Sequence, residues 1–319
     1  MVQQLQNELE QPKINEDELF VLADYDQTAA EKSGYSNYSY WKSVWANFLK
    51  KKPAVIMSIM FLLLFIFTFV ASAIGKYDIH MAPDPLNRMY ISPNNEYWFG
   101  TNAIGQDLWA RVWSGTRTSL IIGFIVAFVE AIIGITIGVL WGYVRKLDRL
   151  LTEVYNVIDN IPSTIILVLA TYVMRPSVLT LIIAMCITGW IGLARFIRNQ
   201  IVIIRDRDYN LASRCLGTGT GRIIFKNLLP YLVSVIMLRM ALAIPGAIGS
   251  EVFLTYVGLG LPIQIPSLGN LVDEGRKVML VEAQRYQLMF PMLMTSAITV
   301  SFYALGNAFA DASDPRNHR

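Results

Sequence analysis

Residues 195–230 read RFIRNQIVIIRDRDYNLASRCLGTGTGRIIFKNLLP, a basic stretch that lies between two long hydrophobic runs. Glycines from Gly217 to Gly221 interrupt the helical pattern, and Leu229 and Pro230 end it. The stretch therefore predicts two short helices joined by a glycine-rich turn. A helix pair placed between two membrane spans is expected to form a surface that another protein binds on the cytosolic side.

The composition indicates a membrane protein with an all-α fold. Apolar residues make up 54% of the 319 residues, and the mean hydropathy is positive. A bilayer core needs about 20 apolar residues of helix, because each residue advances the helix by about 1.5 Å. Runs of this length predict a polytopic chain with about six transmembrane helices, at Ala54–Ile74, Ser119–Trp141, Val157–Met174, Val178–Leu193, Leu232–Val257 and Met289–Ala308.

The distribution of Lys and Arg predicts the orientation in the membrane. About twice as many of these residues lie beside the helix ends assigned to the cytosol as beside the outer ends, which places both termini in the cytosol. The net charge of +3 is too small to indicate binding to nucleic acid.

The sequence divides into three parts. A polar cytosolic segment, partly disordered, precedes a helix in which Trp45 and Phe48 share one face, an arrangement typical of an interfacial elbow helix at the lipid headgroups. The rest forms the transmembrane domain. The predicted bounds are 1–39 for the cytosolic segment, 40–53 for the elbow helix, 54–319 for the transmembrane domain, 75–118 and 258–287 for its outer segments, and 194–230 for its cytosolic loop.

No nucleotide or metal site is recognisable in the sequence. The run Gly217–Arg222 lacks the G-x-x-x-x-G-K-[ST] spacing of a phosphate loop, and a tight break between two helices explains its glycines. Cys186 lies inside a predicted span and Cys215 in the loop, so neither a disulfide nor a metal cluster is expected. We therefore expect no cofactor and no catalysis in this chain, and any energy from ATP must come from a separate subunit.

Four apolar residues of the loop share one face of its second predicted helix: Ile223, Ile224, Phe225 and Leu228. Such a face either packs on the chain's own spans or fills a groove in a partner. The spacing from the glycine turn to Pro230 favours the second possibility, in which the face fills a groove in a partner.

Three ionisable residues, Glu130, Arg239 and Glu251, fall inside predicted spans, and Asp159 lies near one end of the third span. A charge at mid-membrane costs about 2.5–3.5 kcal/mol, so each is expected to face a cavity or a partner rather than lipid. The lining of a translocation path and structural pairing both remain open for these residues. Pro245 interrupts the fifth span, which suits a gate or cavity wall as well as a simple bend.

The order and spacing of several motifs resemble one transporter family. They are Phe99-Gly100-Thr101, Gly189-Trp190, the loop residues Ala212, Ser213, Gly217 and Pro230, Glu251 with Val257-Gly258-Leu259-Gly260, Phe290-Pro291 and Asp314-Pro315. Together they resemble the permease subunits of oligopeptide, dipeptide and nickel ABC importers, most closely the C-type oligopeptide permease. Asn102 and Gln106 stand where an acid and an arginine are common in this family, which changes the contacts expected with a companion subunit or a binding protein.

The resemblance implies a type I ABC importer permease fold in a bacterial inner membrane. It also implies three kinds of partner besides membrane lipid: a second permease subunit, two ATPase subunits that bind ATP and Mg, and an extracytoplasmic peptide-binding protein. The residues expected to couple to the ATPases are Ala212, Ser213, Gly217, Ile223, Ile224, Phe225, Leu228 and Pro230. The candidates for the translocation path or gate are Glu130, Arg239, Pro245 and Glu251.

Two other functions remain alternatives. One is an importer of the same build that carries dipeptides or nickel; two histidines and two scattered cysteines offer no metal path, which disfavours nickel. The other is a self-contained secondary carrier, which the sequence disfavours because no chain of buried Asp, Glu and His suited to proton relay is apparent.

Overall fold

The computed structural model describes residues 40–74 and 87–313, whose regular secondary structure is helical apart from an isolated β-bridge between Thr101 and Asp107. The predicted segment 1–39 and the motif Asp314-Pro315 lie outside the described residues. The helices are α1 Tyr40–Lys50, α2 Lys52–Ile74, α3 Leu108–Tyr143, α4 Arg145–Asp159, α5 Ser163–Val173, α6 Val178–Arg205, α7 Asp208–Cys215, α8 Thr220–Ile223, α9 Leu229–Tyr256, α10 Leu268–Val278 and α11 Tyr286–Ser313. A π turn, Ile224–Leu228, joins α8 to α9, and a 3₁₀ turn, Glu282–Gln284, precedes α11.

Five helical stretches of the described chain are long and apolar enough to cross a membrane, and a sixth crossing is reached if the bent pair α4 and α5 counts as one span. This confirms the predicted all-α fold with about six transmembrane helices. The helix predicted as an interfacial elbow corresponds to α1, in which Phe48 is buried with Ala54 and Ala312 while Trp45 is exposed.

The prediction of a continuous third span over Val157–Met174 was wrong. The chain breaks between Asp159 and Ser163, and α4 and α5 meet at an angle of 74°. Pro162 explains the break, since its ring disfavours the helical conformation in the residue before it. With 11 residues, α5 is about 16 Å long, too short to cross the bilayer core alone.

The second short helix predicted for the loop is not a separate element. From Thr220 the chain runs without a break through the π turn into α9, so that Thr220–Tyr256 forms one helical stretch of 37 residues. Pro230 lies just after the π turn Ile224–Leu228 and does not end the helical stretch.

The closest helix packing joins α3 to α6. A Cβ atom on Gly138 would lie 2.6 Å from the carbonyl oxygen of Ala194 and 2.8 Å from Cβ of Ile197. Gly134 and Gly142, one turn away on either side, also face α6 without room for a side chain. Small residues at this spacing let two membrane helices approach backbone to backbone. The pair α3 and α6 therefore forms a tightly packed unit.

The outer segments are partly helical. The first was predicted to extend to residue 118, but α3 already begins at Leu108, where the Asp107 carboxylate accepts the backbone N–H groups of Trp109 and Ala110. Burial raises the pKa of Asp107, and these two hydrogen bonds oppose the rise. The second, predicted as a shaped loop with short helices, contains α10 and the 3₁₀ turn.

Candidate functional site

The segment 194–230 is held on the membrane helices by a buried amide. Asn210 of α7 is completely buried; its Nδ2 donates to the carbonyl oxygen of Ile204 at 2.8 Å, and its Oδ1 accepts from Asn227 at 3.0 Å. One side chain thus joins the end of α6, α7 and the π turn. Asn210 was not among the residues predicted for the site; an Asn inside an otherwise exposed amphipathic helix was the available signal.

Arginines add a second set of contacts beneath the segment. Arg205 donates from Nη1 to the carbonyl oxygen of Gly142 at 2.6 Å, and Arg214 donates from Nη2 to the carbonyl oxygen of Arg205 at 2.9 Å. Arg205 also donates a hydrogen bond to Asp206 and, with the charges of Arg145 and Arg214, holds the pKa of that carboxyl below its ordinary value. Asp206 therefore stays ionised at neutral pH among three guanidinium groups.

The structure corrects the assignment of the apolar face. Ile223, Ile224 and Leu228 are buried within the chain itself, in a cluster with residues such as Ile197 and Ile201 of α6. They are thus not available to a partner, contrary to the prediction for these three residues. Their helical spacing was read correctly, but the same spacing arises whether the face packs on its own protein or on another.

A different apolar surface of the segment is exposed. Leu216 is 85% exposed and Phe225 is 70% exposed. Ala212 and Gly217 are exposed as well, and Ser213 and Pro230 are half-buried. Gly217 has φ of +78°, a conformation that favours glycine, and it turns the chain between α7 and α8. We call Ala212, Leu216, Gly217 and Phe225 the exposed apolar surface of the segment.

An ion pair links α6 to α4, the first helix of the bent pair α4 and α5. Arg198 of α6 donates to both carboxylate oxygens of Asp148 of α4, at 2.9 Å each. Trp141 of α3 donates its indole N–H to Thr152 of α4 at 3.2 Å. Such bidentate pairs are geometrically specific, so α4 is fixed to both α3 and α6.

A cavity of about 720 Å³ lies between α3, the bent pair, α6 and α9. We call it the main cavity. Its polar lining includes Glu130, Asp159, Thr188 and Ser250, and its wall also includes Gly246. A side cavity of about 250 Å³ is lined by Glu130 again and by Arg239.

The predicted path residues separate into two groups. Glu130 and Arg239 line cavities, as expected because a charge that faces lipid is costly. The guanidinium of Arg239 also lies over the ring of Phe196, 4.4 Å from its centre. Pro245 is inside α9 next to the cavity-lining Gly246 but is not itself among the lining residues.

Glu251, also predicted for the path, is not among the residues that line these two cavities. It is completely buried, accepts a hydrogen bond from the Ser119 hydroxyl, and accepts the backbone N–H of Gly269 at 3.3 Å. Ser119 in turn accepts the backbone N–H of Leu268 at 3.0 Å. The carboxyl therefore holds the N-terminus of α10, where the helix dipole favours negative charge.

Replacing Asn210 with alanine is expected to loosen the segment without removing any exposed side chain. The Ile204 carbonyl and the Asn227 amide would lose their partner in a buried site, at a cost of about 1–3 kcal/mol. Amide hydrogen exchange over residues 206–228 should become faster. Asn199→Ala, the same change at an exposed position of α6, serves as the control. Equal exchange in both variants would contradict the proposed tether.

A family match covers most of this architecture. The family described as "Binding-protein-dependent transport system inner membrane component" matches residues 134–319, which include the segment 194–230 and most of the lining of both cavities. The chain belongs to this family. The N-terminal transmembrane domain of oligopeptide transport permease C matches residues 39–93, which confirms the resemblance read from the sequence.

Similar proteins cover nearly the whole chain. The oligopeptide transport system permease protein AmiD of Streptococcus pneumoniae is 40% identical over 95% of this chain and 98% of its own. The dipeptide permease DppC of Bacillus subtilis is 33% identical over 95% and 94%, and the oligopeptide permease OppC of the same species is 32% identical over 90% and 93%. The family member described here is thus a multi-pass membrane protein of the permease type.

A solved structure shares the fold. A chain from the inward-facing MetNI methionine ABC transporter aligns with a TM-score of 0.50 and 20% identity, over 61% of this chain and 94% of that chain. At this identity the likeness concerns the fold alone, and it agrees with the importer permease fold expected from the sequence.

Proposed function

We propose that this chain is a permease subunit of an ATP-driven oligopeptide importer and forms half of its translocation pathway. One observation carries the proposal. A single helical stretch, Thr220–Tyr256, bears the exposed Phe225 near one end and the cavity-lining Ser250 near the other, about 35 Å away. A force applied to the exposed apolar surface therefore acts on the cavity wall without an intervening loop.

The exposed apolar surface is the part of the segment that a partner contacts. An aromatic side chain that is mostly exposed, on a backbone fixed by Asn210 and Arg205, is suited to fill a groove in another protein. The partners proposed for this surface are two ATPase subunits, which bind ATP and Mg and supply the catalysis that this chain lacks. Closure of the ATPases on ATP moves α9 and opens the main cavity outward, and hydrolysis returns it.

The proposal also includes the orientation in the membrane, the other partners and the cargo. Both termini and the segment 194–230 face the cytosol of a bacterial cell, where the ATPases are. A second permease subunit completes the pathway, an extracytoplasmic peptide-binding protein docks on the outer segments, and lipid surrounds the spans. No nucleic acid is involved. Oligopeptides are the preferred cargo because the names of two similar permeases specify them, while the likeness to DppC keeps dipeptides as the second candidate.

Reconstitution tests the proposal. The chain, its companion permease, both ATPases and the binding protein, placed together in liposomes, are expected to accumulate a labelled oligopeptide only when ATP reaches the ATPases. Leaving out the ATPases should abolish accumulation. Peptide flux through this chain alone, without ATP, would contradict the proposal and support a secondary carrier. Stronger competition by a dipeptide than by an oligopeptide would favour the second candidate.

A further inference from the structure

Glu130 is a membrane-level carboxyl with no counter-charge. It lines both cavities, and no hydrogen bond or ion pair joins it to any residue in the part of the chain that the structure describes. Because a charge inside the membrane is costly, ionisable residues there are rare, and they commonly mark ion and substrate pathways.

The neighbouring helix is shaped around this carboxyl. A Cβ atom on Gly189 of α6 would overlap the carboxyl group of Glu130. The position therefore requires glycine as long as Glu130 points toward α6 and the main cavity, whose lining includes both residues. The carboxyl group of Glu130 therefore lies against the backbone of α6 at Gly189.

The other charges near Glu130 are already engaged. The carboxylate of Asp159, on the opposite wall, lies 3.6 Å from the guanidinium of Arg195. Arg239, in the side cavity, is stacked over Phe196 and forms no ion pair with Glu130. Among the described residues that line the main cavity there is no Lys, Arg or His. In the described part of the chain, no basic side chain in the lining of the main cavity thus faces the carboxyl group of Glu130.

We infer that Glu130 binds the ammonium group of the cargo as it passes through the main cavity, so that the pathway itself selects for a free amino terminus. The volume of about 720 Å³ lies in the range of about 300–1,000 Å³ found for small-molecule sites. An ammonium group has three donors; the carboxylate accepts one or two, and the hydroxyl oxygens of Thr188 and Ser250 line the same cavity. This inference rests on the proposed function, since it requires that peptides cross here.

The test compares one peptide with its N-acetylated form. The complete reconstituted transporter takes up each peptide in the presence of ATP. The ratio measured is the uptake rate of the free peptide divided by that of the N-acetylated peptide, for the parent chain and for Glu130→Gln. Dividing one ratio by the other cancels the preference of the binding protein, which is the same in both samples. We expect Glu130→Gln to reduce the ratio about tenfold, because a hydrogen bond to a charged group is lost.

The control is Glu153→Gln, the same change at an exposed carboxyl of α4 that lines neither cavity, and its ratio should equal that of the parent. An unchanged ratio in Glu130→Gln overturns the inference while leaving the proposed function intact. No uptake of either peptide by the parent transporter overturns the proposed function instead.

A structural role for Glu130 predicts a different pattern. If Glu130 served only to balance Arg239, Glu130→Gln would lower the yield of assembled transporter, and the double variant with Arg239→Gln would restore both yield and ratio. Under the ammonium model the double variant keeps the reduced ratio. Where Glu130→Gln assembles poorly, Glu130→Asp is used instead, because it keeps the charge but withdraws it by about one bond length. A lowered ratio in Glu130→Asp supports the inference, and a ratio equal to that of the parent overturns it.

Discussion

Phe225→Asp is expected to abolish ATP-driven uptake while leaving the permease folded. The side chain of Phe225 is 70% exposed and contributes little to the chain's own packing, so the thermal stability of the purified permease should stay close to that of the parent. At a protein interface, truncation of a central aromatic residue commonly costs about 2–4 kcal/mol, and a buried unpaired carboxylate adds to that cost. Co-purification of the ATPase subunits and peptide uptake should both be lost.

Two further variants make this result specific. Phe225→Leu keeps an apolar side chain in the same place and should retain ATPase binding and part of the uptake. Ile223→Asp changes a buried neighbour and should instead reduce the stability of the permease itself, since Ile223 is only 1% exposed. Normal assembly and uptake in Phe225→Asp would contradict the assignment of the exposed apolar surface.

Gly138→Ala is expected to destabilise the permease, although alanine favours helix over glycine by about 1 kcal/mol. Its new methyl group would lie 2.6 Å from the Ala194 carbonyl oxygen, and separating α3 from α6 to make room should cost about 1–3 kcal/mol. Longer side chains at this position should cost more, because the whole backbone contact would open.

Gly192 provides a control that distinguishes the effect of helix packing on stability from the effect of helix propensity. A Cβ atom on Gly192, inside α6, would meet no other atom within 4 Å. Gly192→Ala should therefore leave the unfolding temperature unchanged or raise it, whereas Gly138→Ala should lower it. Thermal unfolding of the two detergent-solubilised variants beside the parent provides the measurement. Equal stability of both variants would show that α3 and α6 are not packed as described.

The spans were predictable because their signal is local. Apolar runs such as those of α2 and α11 are long enough that no tertiary contact is needed to recognise them. The third span was misread because hydropathy does not register the conformational effect of Pro162, which separates the apolar helix α5 from the charged helix α4 at an angle of 74°. The α3–α6 contact also had a local signal that was not used, namely glycines four residues apart in an apolar helix.

The candidate site was less predictable, because the sequence shows that a face is apolar but not what covers it. Ile223 and Phe225 are two positions apart in one helical stretch, yet the first is buried in the chain and the second is exposed. The membrane charges pose the same problem. Glu130 and Glu251 carry the same group, and only the three-dimensional surroundings distinguish a carboxyl in a cavity from one that holds a helix end.

The attachment of α10 to Glu251 has a thermodynamic consequence. Glu251 belongs to the same helical stretch as Phe225, so one helix connects α10 directly to the exposed apolar surface. Coupling free energies are reciprocal: if nucleotide-bound ATPases change the affinity of the outer face for a loaded binding protein, arrival of that protein must change the affinity for the ATPases by the same factor. With the proposed partners in place, a signal that cargo is present outside would thus reach the cytosol before any cargo moves.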